Sequence, residues 1–132
     1  MSNEHIKVGK KGERAAARYL KRHGCRILSR NRHEGKNELD LVVKDGSYIA
    51  FVEVKTRAFD HPEDAAVRPS QAVDRAKRIR TRDAAFAYLR KHPTALCPRL
   101  DVIEVYLDRS KRLRPFKILH IPAAFSPKGD VR

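Results

Sequence analysis

An α/β fold, a mixed β-sheet with flanking helices in the order αβββαββ, is predicted for this chain by three features. Apolar residues recur at helical spacing in two stretches, β-rich runs fill most of the remainder, and an Asp-Gly pair separates two of those runs. With 132 residues the chain fits one domain, long enough to bury roughly two-thirds of the surface its unfolded form would expose.

Residues 1–7 read as a frayed tail. A first helix is expected from Gly9 to His23, where Ala16, Tyr19, Leu20 and His23 fall at helical spacing and Gly24 supplies a stop. CRILSRNRH reads as a strand. ELDLVVK and YIAFVEVKT read as two more, joined as a hairpin by Asp45-Gly46. If those two residues occupy the centre of the turn, Val42 faces Ile49, Asp40 faces Phe51 and Glu38 faces Glu53. AFDHPEDAAVRP is a polar connection, and SQAVDRAKRIRTRDAAFAYLRKH is a long amphipathic helix ended by Pro93. RLDVIEVYLD and FKILHIP are further strands. Residues 126–132, with Pro127 and Gly129, read as a second tail, leaving a single domain over 8–125.

The charge is strongly positive, with a formal net value of +14. Polyanions are the natural partners of such a chain, because each phosphate neutralised by Lys or Arg releases condensed counterions. Residues 1–33 carry ten Lys/Arg against two acids, and residues 68–92 carry eight against two. Residues 34–67 reverse this, with four Lys/Arg and eight acids. An acidic cluster set between basic stretches suits a carboxylate site that phosphates approach and then meet through a cation. Cys25 and Cys97 are far apart and belong to no metal-binding or redox spacing. The N-terminus has no apolar segment of signal-peptide type and no run is long enough to span a bilayer, so a soluble cytoplasmic protein is expected. Neither G-x-x-x-x-G-K-[ST] nor G-x-G-x-x-G occurs, which argues against nucleotide hydrolysis and a dinucleotide cofactor.

Side chains alternate along a strand, so Glu38, Asp40, Glu53 and Lys55 share one face of the hairpin. That face also carries Val42, Ile49 and Phe51, and the opposite face is apolar through Val52 and Val54, which marks a central strand. Acids placed side by side on a half-buried surface repel one another, and a bound cation removes the penalty. Carboxylate oxygens without thiolate or His at ligand spacing select Mg²⁺ or Mn²⁺ over zinc. Lys55 could then orient or deprotonate a water, or neutralise a scissile phosphate. Taken singly, Glu38, Glu53, Lys55 and Arg57 are better explained as paired salt bridges on a polar patch; together they are less easily dismissed, because the turn and not the site fixed the register. On the first helix, Glu13 is in line with Ala16, Ala17 and Leu20, at the edge of the packed stripe. Asp101, in a β run, is better read as a partner for a nearby Arg.

NELDLVVKDGSYIAFVEVKTR resembles the core motif of the YraN-like family, Gly-Glu-Ile-Asp-Leu, a short turn, then Phe-Val-Glu-Val-Lys-Thr-Arg. The resemblance continues through GERAAARYLKRHGCRILSRNRH, HPEDAAV, AVDRAKRIRTRDAAFAYL, RLDVIEV and ILHIPAAF, nearly the whole chain. Asn37 stands where the family pattern has Gly. The family is similar in turn to the restriction-endonuclease-like PD-(D/E)xK superfamily, including Holliday-junction resolvases. That resemblance implies a restriction-endonuclease-like core, Asp40 and Glu53 as metal ligands with the carbonyl of Val54, Lys55 as catalytic lysine and Glu13 as the acid on the first helix. It also implies that Gln71 or Lys77 approaches the phosphate, and it makes a homodimer plausible.

The expected function is hydrolysis of DNA phosphodiester bonds with Mg²⁺ or Mn²⁺, branched or structured DNA being a candidate substrate. Lys10, Lys11, Arg14, Arg18, Arg57, Arg78 and Arg82 would grip the nucleic-acid backbone without reading sequence. Two rivals stay open. One is a catalytically silent nucleic-acid-binding module that acts as an accessory in DNA processing or recombination, and the other is an RNA-contacting structural protein.

Overall fold

Five strands and two α-helices make up the fold in a computed structural model that describes residues 3–65 and 75–125. The strands are β1 (Arg26–Glu34), β2 (Asn37–Asp45), β3 (Tyr48–Phe59), β4 (Cys97–Asp108) and β5 (Arg114–Phe125). They form one sheet in sequence order, antiparallel throughout except for the parallel pair β3 and β4. A parallel pair needs a crossover, and α2 (Arg75–Lys91) lies on that connection. Helix α1 (Asn3–Arg22) precedes the sheet, so the order is αβββαββ as the sequence predicts.

Two apolar layers follow from the strand alternation. On one face Leu41, Val43, Ala50, Val52, Ile103, Val105 and Leu107 pack beneath Ala15, Ala16, Ala17 and Leu20 of α1. On the other, Val42, Ile49, Phe51, Leu100 and Val102 pack beneath Ala84, Ala85 and Tyr88 of α2. Apolar residues on both faces make β3 the central strand, as the sequence indicated.

Two boundaries differ from expectation. Helix α1 starts at Asn3 and takes in Gly9, so most of the expected N-terminal tail is helical. The expected stop holds, with Gly24 left-handed (φ +86°) and the Cys25 N–H donating to the Leu20 carbonyl. The hairpin turn is displaced by one residue: Asp45 pairs with Tyr48, and Gly46 and Ser47 form the turn. Every cross-strand partner therefore moves by two, which keeps the faces and changes the levels. The start of the second helix expected at Ser70, and the C-terminal tail from Ser126, are outside the described residues.

Helix α1 approaches β3 at Gly12, where a Cβ would land on the side chain of Thr56. Gly→Ala inside a helix ordinarily stabilises by up to about 1 kcal/mol. Here overlap governs, and Gly12→Ala is expected to destabilise by about 1 to 3 kcal/mol, read as a lower urea midpoint with an unchanged slope.

Candidate functional site

The site originates where the β2–β3 ladder stops. Its pairs run from Asp45–Tyr48 to Leu41–Val52, after which β2 continues along β1 and β3 continues along β4. The sheet forks there, and Asp40 and Glu53 are the first residues beyond the last pair. The Val54 N–H, released from the ladder, donates to Asp40 Oδ2 at 2.8 Å. A cavity of about 610 Å³ occupies this region, lined by Asp40, Glu53, Val54, Thr56 and Ala58, by Glu13 and its neighbours on α1, and by Lys77 and Arg109.

Charge repulsion is built into the cavity. Burial, followed by the charge of Glu53, pushes the Asp40 carboxyl up to about 7, although the Val54 N–H works the other way. Burial also raises Glu13, with Glu38 and Glu53 adding to the effect, while a hydrogen bond from Asn31 opposes it. The Asn31 amide donates to both Glu13 oxygens, at 3.0 and 3.3 Å, when its nitrogen faces that carboxylate. Glu53 is 5 % exposed and carries the Lys77 ammonium at 2.5 Å. Lys77 is costly to desolvate, yet its pKa is raised by Glu53 and then Asp40. A positive charge therefore already sits where the acids converge.

Of the residues expected from the sequence, Asp40, Glu53, Val54, Glu13 and Lys77 meet at this cavity. Lys77 touches a carboxylate here, where the resemblance implied an approach to phosphate. Lys55 is half-buried two residues beyond Glu53, outside the cavity lining, and its side chain makes no hydrogen bond or ion pair among the described residues. Glu38 is exposed, with His33 at 3.5 Å. Arg57 is exposed, and Arg82 pairs with Asp83 at 3.0 Å. Arg78 is on α2 but does not line the cavity. Lys10, Lys11 and Arg14 line a different cavity from Glu13, and Arg18 a third. Gln71 is outside the described residues.

Asp101 is structural, as its reading from sequence favoured. Arg99 grips both its oxygens at 2.9 Å and also reaches Asp45 at 2.8 Å. His120 and the Ala123 N–H complete the set, each at 2.9 Å. Burial alone would raise Asp101, but these partners hold it below the usual carboxylate range.

Sequence reasoning missed Asn31, Arg109 and Gly12. Arg109 enters the cavity from the β4–β5 turn and pairs with Glu4 at 3.3 Å and Asp60 at 3.4 Å. Nothing local in the sequence announces that contact or the role of Asn31. A glycine within a helical pattern, however, is a signal of close packing, and Gly12 immediately precedes Glu13.

The family model for the uncharacterised protein family UPF0102 matches residues 12–105. The chain belongs to this family. It is the YraN-like family indicated by the core motif. A UPF0102 protein of Pelotomaculum thermopropionicum is 40 % identical over 126 residues, covering 95 % of this chain and 100 % of the relative. One from Bacteroides thetaiotaomicron is 39 % identical, covering 94 % and 96 %, and one from Koribacter versatilis is 40 % identical, covering 96 % and 85 %. The matched span of the UPF0102 model includes Glu13, Asp40, Glu53, Lys55 and Lys77. None of the described helices is long and apolar enough to cross a membrane.

The raised Asp40 carboxyl has a definite consequence for stability. Its proton is held in the fold up to about pH 7 but is lost near pH 4 in the unfolded chain. Its contribution is therefore greatest below pH 4 and falls as the pH rises to about 7. In urea denaturation with EDTA, the stability advantage of Asp40→Asn over wild type is expected to be smallest at pH 4, to grow as the pH rises to about 7, and to be larger at pH 8 than at pH 4 by about 1 to 4 kcal/mol.

Proposed function

We propose that this UPF0102 protein is a metal-dependent endonuclease that hydrolyses phosphodiester bonds in DNA, with branched or structured DNA as the preferred form. The observation that carries the reading is the pairing of Asp40 and Glu53 in an acid-lined cavity at the fork, inside a chain of net charge +14. Carboxylates that repel one another in a cavity are relieved by positive charge, and the lysine held against Glu53 marks where that charge is favoured.

The donor set fits Mg²⁺ or Mn²⁺. Among the described residues no three His, Cys, Asp or Glu side chains form a protein-only cage. Mg²⁺ ordinarily uses one or two carboxylates and leaves its other positions to water and substrate phosphate. Asp40 and Glu53 would hold it, with the Val54 carbonyl as a further oxygen. When bound, such a cation polarises the phosphoryl oxygen and lowers the pKa of water.

The remaining steps fall to the protein. The Val54 N–H fixes the rotamer of Asp40, so the carboxylate is aimed before substrate arrives. Lys55, uncommitted among the described residues, positions the attacking water or offsets charge developing on the phosphate. Asn31 orients Glu13, which in turn orients water at the cavity wall. Lys77 brings positive charge to the same place from α2. Two such sites, as in a homodimer, would allow both strands of a branch to be cut.

The Lys77–Glu53 contact also favours a second reading, in which the lysine permanently replaces the metal and the protein is a silent nucleic-acid-binding accessory. Cleavage of linear, nicked and four-way-branched DNA, and of RNA, separates the two. With Mg²⁺ or Mn²⁺, wild type is expected to cut DNA, and Asp40→Ala to cut at least about 100-fold more slowly with unchanged binding. Mg²⁺ is expected to raise the melting temperature of wild type but not of Asp40→Ala. Equal cleavage by both proteins would refute the assignment. Salt-sensitive binding with neither cleavage nor Mg²⁺ uptake would favour the accessory module.

A further inference from the structure

The basic side chains of α1 do not face the acid cavity. At 100° per residue, Lys7, Lys11 and Arg14 stand roughly half a turn around the helix from His5, Gly9 and Glu13. They line a separate cavity of about 780 Å³ with Lys10, closed on its far side by Arg112 and Leu113 of the β4–β5 turn. Arg18 and Arg22 continue the stripe into an adjoining cavity of about 490 Å³ between α1 and β5. No Asp or Glu lines either cavity, and among the described residues none of these cations pairs with an acid.

The turn opposite has an unusual backbone. Arg112 and Leu113 are consecutive non-glycine residues in the left-handed region, with φ of 56° and 62°. Leu113 is buried against α1, and its N–H donates to the Asp108 carbonyl at 2.8 Å. The Asp108 carboxylate accepts from the Ser110 N–H and hydroxyl, and Lys11 donates to the Arg112 carbonyl at 3.0 Å. The strained turn is thus pinned at several points, with the Arg112 side chain at the groove.

We propose that the groove between α1 and this turn binds a nucleic-acid backbone, on the side of the helix away from the acid cavity and therefore through a segment distinct from the one cleaved. From Lys7 to Arg22 the stripe is roughly 22 Å long, about six phosphate repeats along one strand. A regular line of cations suits a regular polyanion. An acidic bilayer fits less well, because the apolar face of α1 is spent on the sheet and a membrane-surface helix must keep one for the lipid. The choice of polyanion rests on the nuclease reading, but the groove does not depend on catalysis.

The test is fluorescence anisotropy with labelled duplex DNA in EDTA across 50 to 200 mM salt, using the full chain. Replacing Lys7, Arg14 and Arg18 together by Gln is expected to lower affinity at least about tenfold and to flatten the slope of log K against log salt by about 2.7. The melting temperature should not change. Arg112→Gly is expected to flatten the slope by about 0.9 and to melt no lower than wild type, because glycine relieves the left-handed backbone. A purely structural Arg112 would give an unchanged slope. Wild-type slopes in both variants overturn the proposal, as does tighter binding of wild type to phosphatidylserine vesicles than to DNA. A flattened slope without cleavage retains the groove and removes the nuclease; cleavage with an unchanged slope does the reverse.

Discussion

A single hydrogen bond, from the Val54 N–H to the Asp40 carboxylate, sits at the point on which the site depends. Had the β2–β3 ladder continued, the backbone would have satisfied that donor and the two strands would have stayed together. With the side chain of Asp40 taking its place, the strands separate without leaving the N–H unpaired, and each completes itself on its other neighbour. The fork leaves room for a cavity, and it puts two acids at the cavity floor where burial makes their charges costly. The raised Asp40 carboxyl and the Lys77–Glu53 contact are both consequences of that placement.

The two helices complete the site for different reasons. Gly12 lets α1 sit against Thr56 closely enough for Glu13 to enter the cavity, and Asn31 on β1 turns that carboxylate. Helix α2 supplies Lys77 from the opposite direction. Since α1 is a wall only one helix thick, its acid side closes the cavity while its basic side lines the groove facing Arg112. The β4–β5 turn serves both sides, with Arg109 in the acid cavity and Arg112 at the groove. Positive side chains and carboxylates are thereby kept apart, where mixed they would have neutralised each other.

Membership of UPF0102 carries the fold and the motif across most of the chain, but not an activity. The case for phosphodiester chemistry rests instead on what the residues do together: repelling acids in one cavity, a lysine on the same face that is uncommitted among the described residues, and positive side chains around them.

The sequence by itself determined the elements, their order and the shared face of Asp40, Glu53 and Lys55. Helical and strand periodicities are local, and strand parity survives a two-residue slip in register. That is why placing Asp45-Gly46 at the turn, one residue early, left the acids on the correct face. It nevertheless put Phe51 opposite Asp40 and missed the fork, which arises from pairing with β1 and β4 and has no local signal. The apolar stripe of Ala16, Ala17 and Leu20 told which side of α1 packs on the sheet, and tertiary structure alone decided what stands beside that stripe. Helical periodicity placed Glu13 at the edge of the apolar stripe but could not say what lay beyond that edge. It likewise gave Lys10, Lys11 and Arg14 no direction relative to the acids. Docking of α1 on the sheet at Gly12 fixed both, because a helix's own repeat names the face that packs but the neighbouring strands and turns decide what meets the residues at its edges.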